Sequence, residues 1–346
     1  MFSWKDLLIV GLELLAIATL VKSTFAQSRS PIVMFCGPSQ ASTLLSKAML
    51  KGLSLRAPKF LKKSCPPEFF NPSCSLKVRN SKTLAFCFGS NGFHDNMWKV
   101  CTSERFEDVL NLARENGFMF AKENFGNGFQ LQYLNQNNFT TFIAFRSAKH
   151  TFPTPGSKWY LDIWKSLMRT SRKDLLQLPS GSSLVLLRDH ATKLISNNPY
   201  GFQRECIAHF LHFWQLLAVA LKDMIPVINI DRLLLVKTRA DALNELQDAG
   251  VCSLDGLEEG RCEVFAAAVF NFSKKPVHLH TGVHFQHEFS TSELFKRRES
   301  EYQRKTKCDE VLQQLMSFCK LYIRDCSSIL EIYTDGETNF RPKKGQ

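Results

Sequence analysis

The chain has 346 residues, with 44 Lys and Arg against 32 Asp and Glu, for a formal net charge of +12. Hydrophobic residues make up 44% and charged ones 22%, enough for a sizeable core, which excludes wholesale disorder. The basic excess favours an anionic partner such as a nucleotide or an acidic glycan. Nucleic acid is not expected, because the sequence has no zinc-finger spacing, RNA-binding aromatic motif or extended basic helix.

Taken in order, the chain opens with Lys5 and an apolar run over residues 7–21 that holds one charge, Glu13, and ends at Lys22. The run is shorter than the ~17–25 residues of a full span. It reads as a signal peptide over residues 1–26, with Thr24-Phe25-Ala26 as the cleavage site, or as a short type II signal anchor; a buried first helix is the alternative. Either leader delivers residues 27–334, read as a single domain, to a secretory lumen. Residues 335–346 read as a polar tail.

Residues 31–50 (PIVMFCGPSQASTLLSKAML) follow the leader: an apolar strand, the turn Gly37-Pro38, then hydroxyl-rich Ser39, Ser42 and Thr43 feeding a helix. Strand, polar turn and helix start is the arrangement that aims backbone N–H groups at a phosphate, although an ordinary βα turn has the same pattern. Residues 83–88 (TLAFCF) read as a second strand and 106–115 as a helix. Residues 139–145 (FTTFIAF) read as a strand ending in Arg146 and Lys149. Helical periodicity over 159–172 precedes a short apolar run at 183–187 (SLVLL), expected to be a buried parallel strand ending in Arg188-Asp189. A long helix at 201–224, a strand at 226–230 (PVINI) and helices at 239–249 and 309–322 complete the pattern; residues 264–270 suit strand or helix. Alternating strands and helices predict an α/β fold with a parallel sheet.

None of the eleven cysteines forms a CxxC pair or a Cys/His grouping with zinc spacing, so structural disulfides are expected rather than a metal. Cys65/Cys74, Cys252/Cys262 and Cys319/Cys326 are close pairs, and Cys36 is expected as a buried thiol. The sequons Asn138-Phe139-Thr140 and Asn271-Phe272-Ser273 agree with a lumenal location. His278 and His280 alternate on one side of a possible strand, without the acidic or Cys partners a metal site needs.

Two stretches carry a resemblance. Residues 38–45 (PSQASTLL) resemble the P-x-x-G-[ST]-T-x-L loop with which sulfotransferases bind the 5′-phosphosulfate, and residues 188–196 (RDHATKLIS) resemble their R-D-P-R-A-x-x-x-S element for the 3′-phosphate. Residues 226–234 (PVINIDRLL) are similar to a later strand of that family ending in an acidic turn. Over roughly residues 31–250, with the leader and basic balance, the chain resembles Golgi carbohydrate sulfotransferases. The resemblance implies a P-loop-like three-layer fold with 3′-phosphoadenosine 5′-phosphosulfate as co-substrate and no metal. Ser39, Gln40, Ala41, Ser42, Thr43, Arg188 and Ser196 would hold that donor, and the acceptor would be a glycan or proteoglycan hydroxyl. The chain departs from the pattern at Ser39, where the family has Lys or Arg, at Ala41, where it has Gly, and at His190 and Ala191. Lys47, Lys62, Arg146 and Lys149 are candidates to supply the missing cation; Glu123, His150, Asp162 and His190 are candidate general bases. Two other readings compete: a non-catalytic lumenal binding protein on the same fold, and a Gly-Asp-Ser-type esterase with Ser39 as nucleophile and His284 as base.

Overall fold

The structure, a computed structural model, describes residues 32–36, 45, 48–49, 51–53, 85–88, 120–123, 127–147, 158–196, 201–257, 260–274, 276–277, 289–290 and 308–334. Helices predominate, around a parallel sheet of five strands: β1 (Ile32–Cys36), β2 (Ala85–Phe88), β3 (Phe120–Glu123), β4 (Thr141–Phe145) and β5 (Val227–Asn229). The class is α/β, as the alternation of elements predicts. The strand order is β2-β3-β1-β4-β5, with Phe35 of β1 opposite Glu123 on one side and Ile143 on the other, and Cys36 opposite Ala144. A second, antiparallel ribbon pairs β6 (Pro276–Val277) with β7 (Phe289–Ser290).

Every residue of β1 and of β4 is buried, which is why both read as unbroken apolar runs rather than alternating ones. Their side chains divide between two cores. Val33, Phe35, Ile143 and Phe145 face one, built from α1 (Gly128–Gln136), α3 (Arg172–Leu176), α4 (Gly181–Ser196), α5 (Gly201–Asp223), α9 (Cys308–Tyr322) and α10 (Cys326–Thr334), with α2 (Lys158–Arg169) also packed on α5. Ile32, Met34, Cys36, Phe142 and Ala144 face the other, built from the helix holding Leu45, Ala48 and Met49 with α6 (Ile230–Leu235), α7 (Arg239–Asp248) and α8 (Arg261–Lys274). A Cβ on Gly52, in the helix after β1, would lie 2.7 Å from Phe265 Cβ of α8, so only glycine admits that approach.

The strand expected at 183–187 is corrected: these residues lie in the first two turns of α4. Leu184, Val185, Leu187, Ala191 and Ile195 are buried while Leu186 is 44% exposed, an amphipathic helical distribution. Helix α1, strand β3 and helix α10 were not anticipated. For α1 the signal was present in Asn127-Gly128-Phe129-Gln130. Asn127 Oδ1 accepts from the Gln130 N–H at 3.0 Å, and Gln130 Oε1 accepts from the Asn127 N–H at 2.9 Å, a capping box.

Two disulfides join described elements. Cys252–Cys262, an expected pair, ties the short turn Val251–Ser253 to α8, and Cys206–Cys308 links α5 to α9 across a separation of 102 residues. Cys319 and Cys326 are instead buried thiols hydrogen-bonded to each other. Burial pushes both thiols up, and disulfide exchange needs a thiolate. Cys36 is a buried thiol in β1, as expected. Cys65, Cys74 and the leader lie outside the described residues. Among the described residues, no helix is long and apolar enough to cross a membrane.

Candidate functional site

With all strands parallel, their carboxyl ends share one edge of the sheet. The chain leaves β1 toward β2 and β3 on one side and passes from β4 to β5 on the other, so the direction of winding reverses between β1 and β4. Open parallel sheets bind ligands in the crevice outside such a reversal. Here Arg146 follows Phe145, two residues beyond the pair Cys36–Ala144.

Arg146 and Ser147 follow β4 in a buried setting, 5% and 0% exposed. Arg146 Nε donates to Asp231 Oδ1 at 2.6 Å, and the Ser147 backbone N–H donates to Asp231 Oδ2 at 3.1 Å. Asp231 is held from below: Asn229, the last residue of β5, caps α6 and its Oδ1 accepts from the Asp231 N–H at 2.9 Å. One carboxylate thus locks the ends of β4 and β5 together. Among the described residues, the buried Ser147 hydroxyl has no hydrogen-bond partner. Such an orphaned donor typically costs ~1–3 kcal/mol, and it fits a site whose missing acceptor is a ligand oxygen. Glu123 ends β3 on the same edge, beside Phe35.

Of the residues anticipated for donor binding, Ser39, Gln40, Ala41, Ser42 and Thr43 lie outside the described residues, as do Lys47, Lys62, Lys149, His150, His278, His280 and His284. Arg188 is corrected from a strand end to the middle of α4, where its guanidinium Nη1 donates to the Thr170 carbonyl at 2.8 Å and Nε sits 3.8 Å from Asp189. Its reach is taken up in joining α4 to the end of α2. Ser196 ends the same helix, and its hydroxyl donates to the Lys193 carbonyl at 2.8 Å. His190 stacks on Phe318 at 4.0 Å; burial first, and then the Lys193 charge, lower its pKa. Asp162 lies on α2.

The arginine that does follow a parallel strand beside β1 is Arg146. The two candidate runs look alike, TFIAF-Arg and LVLL-Arg, but differ in residue type. Thr141, Phe142, Ile143 and Phe145 are β-branched or aromatic and suit a strand; Leu184, Leu186 and Leu187 are helix formers. That distinction was available in the sequence. The 85-residue pairing of Arg146 with Asp231 was not.

No protein-family model, curated protein or solved structure matches this chain.

Proposed function

We propose that this chain has a P-loop-like, three-layer fold and binds 3′-phosphoadenosine 5′-phosphosulfate at the carboxyl edge of β1 and β4. It transfers the sulfuryl group to a hydroxyl of a carbohydrate in the secretory lumen. The observation that supports this most is the central position of β1, flanked by β3 and β4, with Arg146 after its neighbour and a Ser/Thr-rich sequence following β1. In this reading the backbone of residues 39–43 cradles the 5′-phosphosulfate, as first expected. The strand-end cation is Arg146 in place of Arg188, aligned through Nε by Asp231. Charge-assisted hydrogen bonds from an arginine to a phosphate contribute ~1.5–3 kcal/mol each.

The reaction is an in-line displacement. The acceptor oxygen forms its bond to sulfur as the bridging S–O bond breaks, and the electron pair leaves on the 5′-phosphate. The acceptor's proton goes to a base, and Glu123 is the candidate whose position at the end of β3 lies on this edge. Ser39 lacks the cation that would stabilise the leaving oxygen, an interaction worth ~10²–10³ in rate. Sulfuryl transfer to a mixture of desulfated glycans, followed with labelled donor, tests the reading. Turnover that rises in Ser39→Arg and falls in Glu123→Gln is expected. A protein that binds the nucleotide but transfers nothing, even as Ser39→Arg, is instead a non-catalytic binding protein on this fold, the reading that the serine at position 39 favours.

A further inference from the structure

The two Asn-x-Ser/Thr sequences are presented differently by the fold. Asn138 is exposed, in the turn between α1 and β4, with φ of 56°. This is the left-handed region in which Asn is several-fold enriched among non-glycine residues. Backbone bonds hold the turn: the Asn138 N–H donates to the Asn135 carbonyl at 3.2 Å and the Phe139 N–H to the Leu134 carbonyl at 2.9 Å. The neighbouring Asn137 carboxamide is used up on the Tyr133 carbonyl at 2.9 Å. The turn needs nothing from the carboxamide of Asn138, which is left to solvent.

Asn271 is also exposed, but it is in the last turn of α8. Residues two apart on a helix do not face each other, and the Ser273 hydroxyl that the sequon requires is buried, donating to the Phe270 carbonyl at 2.7 Å. Asn138 precedes β4 at the amino end of the sheet, and the five steps from Thr141 to Arg146, about 16 Å by the usual rise per residue, lie between it and the carboxyl edge. A large polar group there leaves the carboxyl edge open. The two disulfides fit an oxidising compartment in which such a group is added.

We propose that Asn138 is the N-glycan acceptor of this chain and that Asn271 is not. The Asn138 Nδ2 attacks C1 of an oligosaccharide carried on a polyprenyl pyrophosphate. The C1–O bond breaks, the C1–N bond forms, the pyrophosphate leaves with the electron pair, and the amide proton is lost to a base. The proposal rests on the secretory-lumen location proposed above and not on sulfuryl transfer.

The test uses the full chain, expressed through the secretory pathway of a eukaryotic cell and compared on a gel before and after peptide:N-glycosidase digestion. The wild type is expected to shift by one glycan. Asn138→Gly, which suits the positive φ, and Thr140→Ala should both abolish the shift. Thr140→Ser should keep it, and Asn271→Gln should leave it unchanged. A wild type with no shift, a shift that survives Asn138→Gly, or a second step lost in Asn271→Gln would overturn the proposal.

Discussion

Ser147 has a hydroxyl group sealed from solvent with nothing to bond among the described residues, yet its backbone N–H is held by Asp231. A buried orphan of this kind lowers the stability of the ligand-free protein, so its removal should raise it. Ser147→Ala is therefore expected to stabilise the free chain by about 1 kcal/mol in a urea titration. The same change should weaken binding of adenosine 3′,5′-bisphosphate five- to tenfold, about 1–1.4 kcal/mol. A variant of unchanged stability and unchanged affinity would make the serine a mere filler. Asp231 acts differently. Removing one partner of a buried ion pair costs ~3–5 kcal/mol because the other charge is stranded, so a substitution of Asp231 would test the fold rather than the proposed site. At this scale the sequence was partly legible. PVINIDRLL marked Asp231 as the acid after a strand, but nothing local ties it to Arg146, since an ion pair across 85 residues exists only once β4 and β5 are neighbours.

At the scale of elements, α5 is the most demanding helix. It runs through the larger core and buries Gln203, Glu205, His209, His212 and Gln215 among Phe210, Phe213 and Trp214. His209 Nδ1 shares a hydrogen bond of 2.8 Å with the Tyr333 hydroxyl of α10, while His212 Nε2 has no partner among the described residues. Burial, with the nearby His212 charge, lowers the pKa of His209 to about 3, and burial alone lowers that of His212 to about 4. Both histidines are neutral when folded and take up protons on unfolding below the ordinary value of about 6.5. Their contribution is fully present above pH 6.5 and is lost as the pH falls from there toward the folded values. By pH 5 the loss is about 2 kcal/mol for each histidine. Urea midpoints should therefore drop between pH 7 and pH 5, and His212→Phe should remove about half of the drop; equal midpoints at the two pH values would contradict this. The apolar face of α5 was readable from its periodicity, and so were β1, β4, β5, α7 and α9. Residues 183–187 were misread because four or five apolar residues have no period, and only their leucine content distinguishes helix from strand. Strand β3, FAKE, is short and holds two charged residues, so its pairing with β1 rather than its composition makes it a strand.

At the scale of the whole molecule, the chain is fastened by covalent links that sequence spacing reveals only when they are local. Cys252 and Cys262 are ten residues apart and were legible; Cys206 and Cys308 are 102 apart and were not. Closing so long a loop restricts the unfolded chain most, by roughly 4–5 kcal/mol in the chain-entropy view. Replacing both Cys206 and Cys308 with alanine is expected to cost ~2–5 kcal/mol, measured by urea titration under non-reducing conditions; unchanged stability would mean that the bridge contributes nothing. Strand order is equally non-local. The sequence announces strands, but the order β2-β3-β1-β4-β5, and with it the identity of the arginine beside β1, follows only from long-range pairing. The central proposal is that the chain binds a nucleotide and does so through Arg146 and not Arg188. Calorimetric titration of adenosine 3′,5′-bisphosphate into the folded wild type, Arg146→Lys and Arg188→Ala tests it most directly. Lysine keeps the charge facing Asp231 but cannot reproduce the guanidinium fork. The expected result is binding by the wild type, a loss of at least tenfold in Arg146→Lys, and wild-type affinity in Arg188→Ala. No binding by the wild type, or a loss confined to Arg188→Ala, would contradict the account.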